Sequence, residues 1–373
     1  MERKKRVVVL YGGRSGEHEV SINSAASVMA ALDRDKYQVV PVMITRQGSW
    51  LAGAAPEEMA QGADPADLVA SGRAEKVYLP GDPAMGGLIS LQGEPGVYSG
   101  GVDLVIPVLH GTFGEDGTVQ GLLELANVPY VGAGVLGSAL GMDKVLMKTV
   151  LAQYGLPQAG FVSCLRLEWE RDPEAVAGMV ERQLGYPCFV KPANLGSSVG
   201  ISKARSREEL SRAMDLACRY DRKIIIEEFI DAREVEVSVL GNDDPAASLP
   251  GEIIPLKEFY DYEAKYVDGL SQLKVPADLP PETVGRLQEL AVRVFKSLDC
   301  AGMGRVDFFI RRSDGEVLVN EINTIPGFTR FSMYPKLWEA TGISYRDLLD
   351  RLINLALERH RDKNRSETSF TLL

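Results

Sequence analysis

Hydrophobic and polar positions sort most of the chain into elements before any motif is read. Residues 6–11 are apolar after the first, as in a strand covered on both faces. A helix over 22–32 and a strand over 37–44 follow, making a β-α-β opening of a doubly wound parallel sheet. The stretch 51–101 is rich in Ala, Gly and Pro with weak periodicity, and predicts insertions and short elements. Residues 102–109 form another strong strand. A helix covers 118–126, and a short strand over 129–131 closes a first domain near Gly132. Beyond it the pattern predicts helices over 142–154, 173–184, 207–219, 281–298 and 343–361. Strands are predicted over 160–164, 188–191, 199–204, 223–229 and 234–240. Residues 251–276 are polar and aromatic with little core periodicity, the composition of a lid, and 366–373 read as a frayed end.

Two apolar-rich runs, 304–310 and 316–323, flank Ser313, Asp314 and Gly315 and predict a β-hairpin. With those three as the loop and Gly315 left-handed, Arg312 pairs with Glu316. Asp307 then faces Glu321, Arg305 faces Asn323, and all four polar groups share one side. A two-residue loop would put Asp307 opposite Ile322 instead. Two carboxylates and an amide oxygen on a rigid sheet suit a hard cation such as magnesium, which keeps positions open for water and phosphate oxygens. An arginine beside them suits developing negative charge. A merely solvated face would mix in Lys and Thr.

Three glycine-rich turns add candidates. Gly12, Gly13 and Gly16 precede the first helix, but the spacing is not G-x-G-x-x-G and no acidic residue ends the second strand, so a dinucleotide cofactor is disfavoured. Glu17 in this turn reads equally as an ammonium anchor or as a helix-start residue favoured by the dipole. The run from His110 to Gly117 follows a strand's carboxyl end, where α/β folds place ligands. The run from Pro192 to Gly200 joins two strands and is no Walker loop. It is either a hairpin tip or a cover for phosphates, and Lys191 just before it favours phosphate. Gly327 follows the hairpin and can turn a backbone N–H toward it.

Composition narrows the class. The chain has 373 residues, enough for two or three domains, and 45% hydrophobic residues, enough for a sizeable core. A net charge of -11 argues against a nucleic-acid or anionic-membrane binder. The four cysteines lie far apart without C-x-x-C, which predicts buried free thiols in a reducing compartment. The three histidines, His18, His110 and His360, are too dispersed for a histidine-rich metal cluster. The apolar run after the basic residues 3–6 is too short for a signal peptide, and no stretch approaches the ~20 apolar residues of a membrane helix, so a cytoplasmic protein is expected.

Seven runs, in order over nearly the whole chain, together resemble the D-alanine–D-alanine ligases: 12–21, 142–144, 190–192, 196–200, 261–266, 304–307 and 320–327. The resemblance implies an ATP-grasp fold of mixed α/β class. Its parts would be an N-terminal α/β domain (1–132), a central domain (133–227) and a C-terminal domain (228–373), the last two clamping ATP. It implies that ATP phosphorylates one D-alanine carboxylate and that the amine of a second D-alanine attacks the acyl phosphate. The product, D-alanyl-D-alanine, feeds peptidoglycan. Lys144 and Lys191 would hold the phosphates, under the loop of Gly196, Ser197 and Ser198. Glu227, Glu228, Phe229 and Ile230 would meet adenine, Glu234 would meet ribose, and Asn320 would line the nucleotide site. Asp307, Glu321 and Asn323 would hold two Mg²⁺ or Mn²⁺. Arg305 and the Gly327 N–H would stabilise the oxyanion. Glu17 would anchor the first D-alanine ammonium, linked through Ser197 to Tyr266, and His110 would lie near the substrates. Lys265, Ser332 and the Met333 N–H would take the second carboxylate. Tyr266 after Lys265 favours D-alanine there. The runner-up is a D-alanine–D-lactate or D-alanine–D-serine ligase. A homodimer is also implied.

Overall fold

The computed structural model of the protein describes residues 3–91, 98, 100–196, 199–255 and 271–367. Three sheets of seven, four and six strands organise it. The first part runs β1 (Lys5–Gly12), α1 (His18–Ala31), β2 (Tyr37–Ile44), β3 (Trp50–Ala52), α2 (Pro56–Ala60), α3 (Pro65–Ala70), β4 (Glu75–Tyr78), β5 (Gly87–Ser90), β6 (Gly100–Gly101), β7 (Leu104–Val108) and α4 (Thr118–Leu125). β1 pairs in parallel with β2 on one side and β7 on the other. Val7, Val9 and Tyr11 pack with α1, while Val8 and Leu10 pack on the other face with Val119 and Leu123 of α4. The chain thus switches faces between β1 and β7.

The stretch 51–101 holds the short elements expected of it, but they correct the expectation of a parallel sheet. β3 to β6 extend the sheet by antiparallel pairing, so the sheet is mixed rather than parallel throughout. Strands of two to four residues are too short to carry a period.

The second sheet is antiparallel, in the order β10-β9-β11-β8. Its part of the chain runs α5 (Val135–Met142), α6 (Lys144–Gln153), β8 (Phe161–Leu165), α7 (Arg166–Arg171), α8 (Pro173–Gln183), β9 (Cys188–Pro192), β10 (Ser202–Ala204), α9 (Arg207–Cys218) and β11 (Lys223–Glu228). Val176 and Val180 of α8 and Leu210, Met214 and Ala217 of α9 close its core. The helix expected over 142–154 is broken at Asp143, whose extended backbone caps α6, its carboxylate accepting from the N–H groups of Val145 and Leu146 at 3.1 Å. α5 and α7 were not expected, and β10 starts at Ser202 rather than 199.

The third part runs β12 (Ala232–Gly241), β13 (Ala246–Ala247), β14 (Gly251–Pro255), β15 (Ser271–Lys274), α10 (Pro281–Ser297), β16 (Gly302–Arg311), β17 (Val317–Asn323), α11 (Met333–Ala340) and α12 (Tyr345–Lys363). Leu287, Leu290, Val294 and Phe295 of α10 pack on Val306, Phe308, Val319 and Ile322. Residues 271–274, expected within the lid, form β15 paired with β14; the lid expectation over 257–270 and the frayed end over 368–373 lie outside the described residues.

α12 returns to the first sheet. Leu348, Leu349, Leu352, Ile353 and Ala356 join the core of β1 and α1. Arg359 donates to the carbonyls of Gly132 and, at 3.1 Å, Tyr130, with its guanidinium 4.5 Å from the Tyr130 ring centre.

All four cysteines are free, but Cys218 is half-buried rather than buried. Among the described residues no helix is long and apolar enough to cross a membrane.

Candidate active site

The carboxyl ends of β1 and β7 lie side by side where the sheet's connections change faces, the place open α/β sheets leave a crevice. Glu17 caps α1 in position but makes no side-chain cap bond. Its carboxylate instead sits against two glycines. A β-carbon on Gly111 would come within 2.8 Å of Glu17 Oε2, and one on Gly196 within 3.1 Å. Gly111 also has φ +76°, so glycine is required there twice over. The first and second sheets therefore meet at this carboxylate.

His110 is buried, with Nδ1 3.1 Å from the carbonyl of Ile325 and Nε2 3.3 Å from Ser24 Oγ. Burial holds its pKa below the ordinary histidine value, against the pull of Glu17, so the ring is neutral. Glu115, half-buried, accepts from the Gly111 N–H at 2.7 Å; burial and then Glu17 push its carboxyl up to about 8.

Cations gather where α6 meets the second sheet. Lys144 Nζ donates to the Leu195 carbonyl at 2.8 Å and lies 3.7 Å from Glu321 Oε2. Lys191 Nζ is 2.5 Å from Glu227 Oε2, and Lys148 Nζ is 2.9 Å from Glu227 Oε1. Burial opposes the Glu227 charge, yet the two ammonium groups bring its pKa down to about 2. Burial likewise opposes the Lys191 charge, and Glu227, then Glu321, outweigh it, so its pKa lies above the ordinary value. Glu234 adds to that field from β12. Glu228 points to the other face of β11, where it accepts from the Gly160 N–H at 2.6 Å. The exposed Phe229 ring lies with its centre 6.1 Å from that of Phe189 and 3.8 Å from Lys203 Nζ, which sits over the ring face. Ile230 follows it, half-buried.

The hairpin brings its polar residues together as expected. Arg305 pairs with Asn323 and Asp307 with Glu321. Arg305 holds both Asp307 oxygens, at 2.7 and 2.8 Å, and Asn323 Nδ2 donates to Asp307 Oδ2 at 3.0 Å. Glu236 Oε2 lies 2.9 Å from Arg305 Nε. Burial opposes the Arg305 charge, but Asp307 and Glu236 hold its pKa well above the ordinary arginine value.

The connection itself differs from expectation. Arg311 exchanges with Glu316 and Gly315, so the loop is the four residues 312–315 and Arg312 does not pair with Glu316. Gly315 is left-handed, with φ +76°. Phe308 pairs with Val319, and a bulge at Asn320 restores the register at Asp307. The bulge has a clear cause. Val317 and Val319 face the core, and strict alternation would send Glu321 after them. The extra residue turns Glu321 and Asn323 outward while Ile322 stays in the core.

Beyond β17, a β-carbon on Gly327 would meet Ser332 Oγ at 3.2 Å. Ser332 sits at the start of α11, its Oγ 2.8 Å from Thr329 Oγ1, and the Met333 side chain is core, packed with Ile253 and Leu337. Ser197, Ser198, Lys265 and Tyr266 lie outside the described residues. Among the described residues no trio of His, Cys, Asp and Glu gathers as a metal centre. The donor set here is two carboxylates and an amide, and hard oxygen ligands of that kind fit Mg²⁺ or Mn²⁺.

Sequence reasoning missed Lys148, Glu115 and Glu236. Lys148 lies one helical turn after Lys144, and Glu236 shares a strand face with Glu234, so spacing carried a signal for both.

Residues 6–133 match the family model described as D-ala D-ala ligase N-terminus, and residues 150–354 match that for the D-ala D-ala ligase C-terminus. The chain belongs to the D-alanine–D-alanine ligase family. A relative named D-alanine--D-alanine ligase from Natranaerobius thermophilus is 52% identical over 370 residues, covering 99% of each chain. Another of that name from Geobacillus thermodenitrificans is 50% identical over 368 residues, covering 98% of this chain and 99% of the relative. Among solved structures, the D-alanine-D-alanine ligase of Coxiella burnetii superposes with a TM-score of 0.84 at 39% identity, covering 98% of this chain and 97% of that one. The VanG D-Ala:D-Ser ligase of Enterococcus faecalis gives 0.84 at 37% identity, covering 95% and 100%. The family's ATP-grasp fold thus accounts for the three-sheet architecture.

Proposed function

We propose that the protein joins two D-alanines to D-alanyl-D-alanine at the expense of ATP, as a step in peptidoglycan synthesis. The observation that carries this reading is the convergence, beside one another, of Glu17, the Lys144–Lys191 cations and the Arg305–Asp307–Glu321–Asn323 face. A carboxylate is a poor electrophile with a poor leaving group. Its oxygen attacks the γ-phosphorus of ATP, ADP leaves, and an acyl phosphate forms. The amine of the second D-alanine then attacks the carbonyl carbon; phosphate leaves and the amine gives up its proton.

Glu17, beside a neutral His110, binds the ammonium of the first D-alanine. Lys144 and Lys191 hold ATP phosphates, with Gly196, Ser197 and Ser198 over them. Glu227 and the backbone from Glu228 to Ile230 meet adenine against Phe229, Glu234 meets ribose, and Asn320 lines the cleft. Arg305 and the Gly327 N–H hold the oxyanion of the tetrahedral intermediate. Lys265, Ser332 and the Met333 N–H hold the second carboxylate, the last at a helix start suited to anions. Tyr266, linked through Ser197 to Glu17, favours D-alanine as the second substrate. Asp307, Glu321 and Asn323 hold two Mg²⁺ or Mn²⁺, which supply positive charge for the phosphates. These parts divide as residues 1–132, 133–227 and 228–373, with the lid from 257 onward. The free thiols support a cytoplasmic location. The family resemblance supports a homodimer, and light scattering that returns the mass of a single chain would count against it.

The deciding experiment is a mass spectrum of the product from ATP, Mg²⁺ and D-alanine, with D-lactate and D-serine as competitors. D-alanyl-D-alanine with one ADP released per bond is expected. A mixed product in preference to the dipeptide would overturn the substrate choice. Chelation of the metal should stop turnover while leaving the fold intact by circular dichroism.

A further inference from the structure

One buried charge has no part in the roles above. Lys148 is 1% exposed, which is unusual for a lysine. It projects from α6 one turn beyond Lys144, with its backbone carbonyl accepting from Gln158 Nε2 at 2.7 Å. Its ammonium group lies 2.9 Å from Glu227 Oε1 and 5.9 Å from the Phe161 ring centre. The other Glu227 oxygen is 2.5 Å from Lys191 Nζ. One carboxylate thus bridges two ammonium groups, one enclosed and the other at the nucleotide cleft with its side chain 12% exposed.

We propose that Lys148 is a positioning residue for nucleotide binding: by occupying one oxygen of Glu227, it leaves the Lys191 ammonium group with charge to spare for phosphate. The inference rests on the assignment of Lys191 to the nucleotide phosphates. The charge count gives the reason. Lys148, Glu227 and Lys191 together carry one net positive charge. Without Lys148, Glu227 and Lys191 cancel, and phosphate must compete with a buried carboxylate for the Lys191 ammonium group. Leaving one member of a buried pair uncompensated is costly, so Glu227 would draw on Lys191 more strongly. The bridge also fixes where Lys191 points, since its partner is held from the far side.

The test compares ADP with adenosine by calorimetry on the full chain. The ratio of their affinities isolates the phosphate contribution and cancels effects on the base. In Lys148→Met this ratio should fall on the order of tenfold to a hundredfold, the scale of one charge-assisted interaction. KM for ATP should rise while kcat at saturating ATP changes little. Lys148→Met/Glu227→Gln removes the surplus carboxylate and should restore the ratio to within about threefold of the unsubstituted protein. A merely structural lysine would lower the melting temperature and leave the ratio unchanged, which would overturn the proposal. So would an equal loss for adenosine and ADP, or a double variant whose ratio stays low. If Lys148→Met does not fold, Lys148→Gln, which can still hydrogen-bond Glu227 but carries no charge, decides instead: a fall in the ratio is expected, and an unchanged ratio would overturn the proposal. An unsubstituted protein that binds ADP no better than adenosine would instead sink the assignment of the phosphate site.

Discussion

Glu227 is a buried carboxyl group and Glu115 a half-buried one, and their neighbours set them further apart. Two ammonium groups keep Glu227 charged, its pKa lowered from 4.5 to about 2. A lowered folded-state value means stability that is present above pH 4.5 and is lost as pH falls toward 2. Glu227→Gln should therefore flatten the acid limb of a urea-midpoint profile in that window. For Glu115, burial and then the Glu17 charge outweigh the pull of Lys144, and its pKa is raised from 4.5 to about 8. The sign reverses: its contribution is full below pH 4.5 and is lost as pH rises through about 8. Glu115→Gln should flatten the alkaline limb, and an unchanged profile would contradict the burial of that carboxyl. Arg305 is held at three points by Asp307 and Glu236. Arg305→Ala should lower kcat by about 10²–10³, the scale of an oxyanion donor, with ADP affinity nearly unchanged by calorimetry.

At the scale of elements, the hairpin of β16 and β17 is where the chain's local pattern and its packing disagree. The face pairing of Asp307 with Glu321 could be read from alternation, but the expected three-residue loop was not the means. A four-residue loop and a bulge at Asn320 reach the same pairing, because Val317 and Val319 must also reach the core. Deleting Asn320 removes the extra residue, and plain alternation after Val319 should still turn Glu321 outward and keep Ile322 in the core. Magnesium-dependent turnover and a melting temperature close to that of the unsubstituted protein are expected; loss of turnover in a folded deletion variant would show that the bulge itself is required. α6 tells a similar story. Asp143 was legible as part of a motif, but its capping of α6 and its 2.5 Å ion pair with Lys223 aim the lysines of that helix, and no local pattern encodes that aim.

At the scale of the whole molecule, the site is assembled from groups beside three sheets. The first gives a carboxylate and a histidine at strand ends, the second gives lysines, and the third gives the acidic face. α12 fastens the last to the first through Arg359, the Lys36–Asp350 pair at 2.6 Å and a shared apolar core. Arg359→Ala should cost about 1–3 kcal/mol by leaving the backbone carbonyls of Tyr130 and Gly132 short of a donor, and should loosen α12 in hydrogen exchange before the β16–β17 hairpin opens. Unchanged protection of α12 would show that apolar packing alone holds it.

The chemistry of the protein was in its sequence. Alternation placed Arg305, Asp307, Glu321 and Asn323 on one face, strand-end glycines marked the turns beside Glu17 and His110, and the order of the motifs pointed to the family. Those signals lie along the chain itself, in alternation, turn residues and the order of the motifs. Long-range packing decided the rest. The antiparallel extension of the first sheet, the bulge at Asn320, the Asp143–Lys223 ion pair and the carboxylate shared by Lys148 and Lys191 each depend on groups distant along the chain. Burial and Coulomb energy act through space, so which lysine meets which carboxylate is fixed only once the sheets have packed.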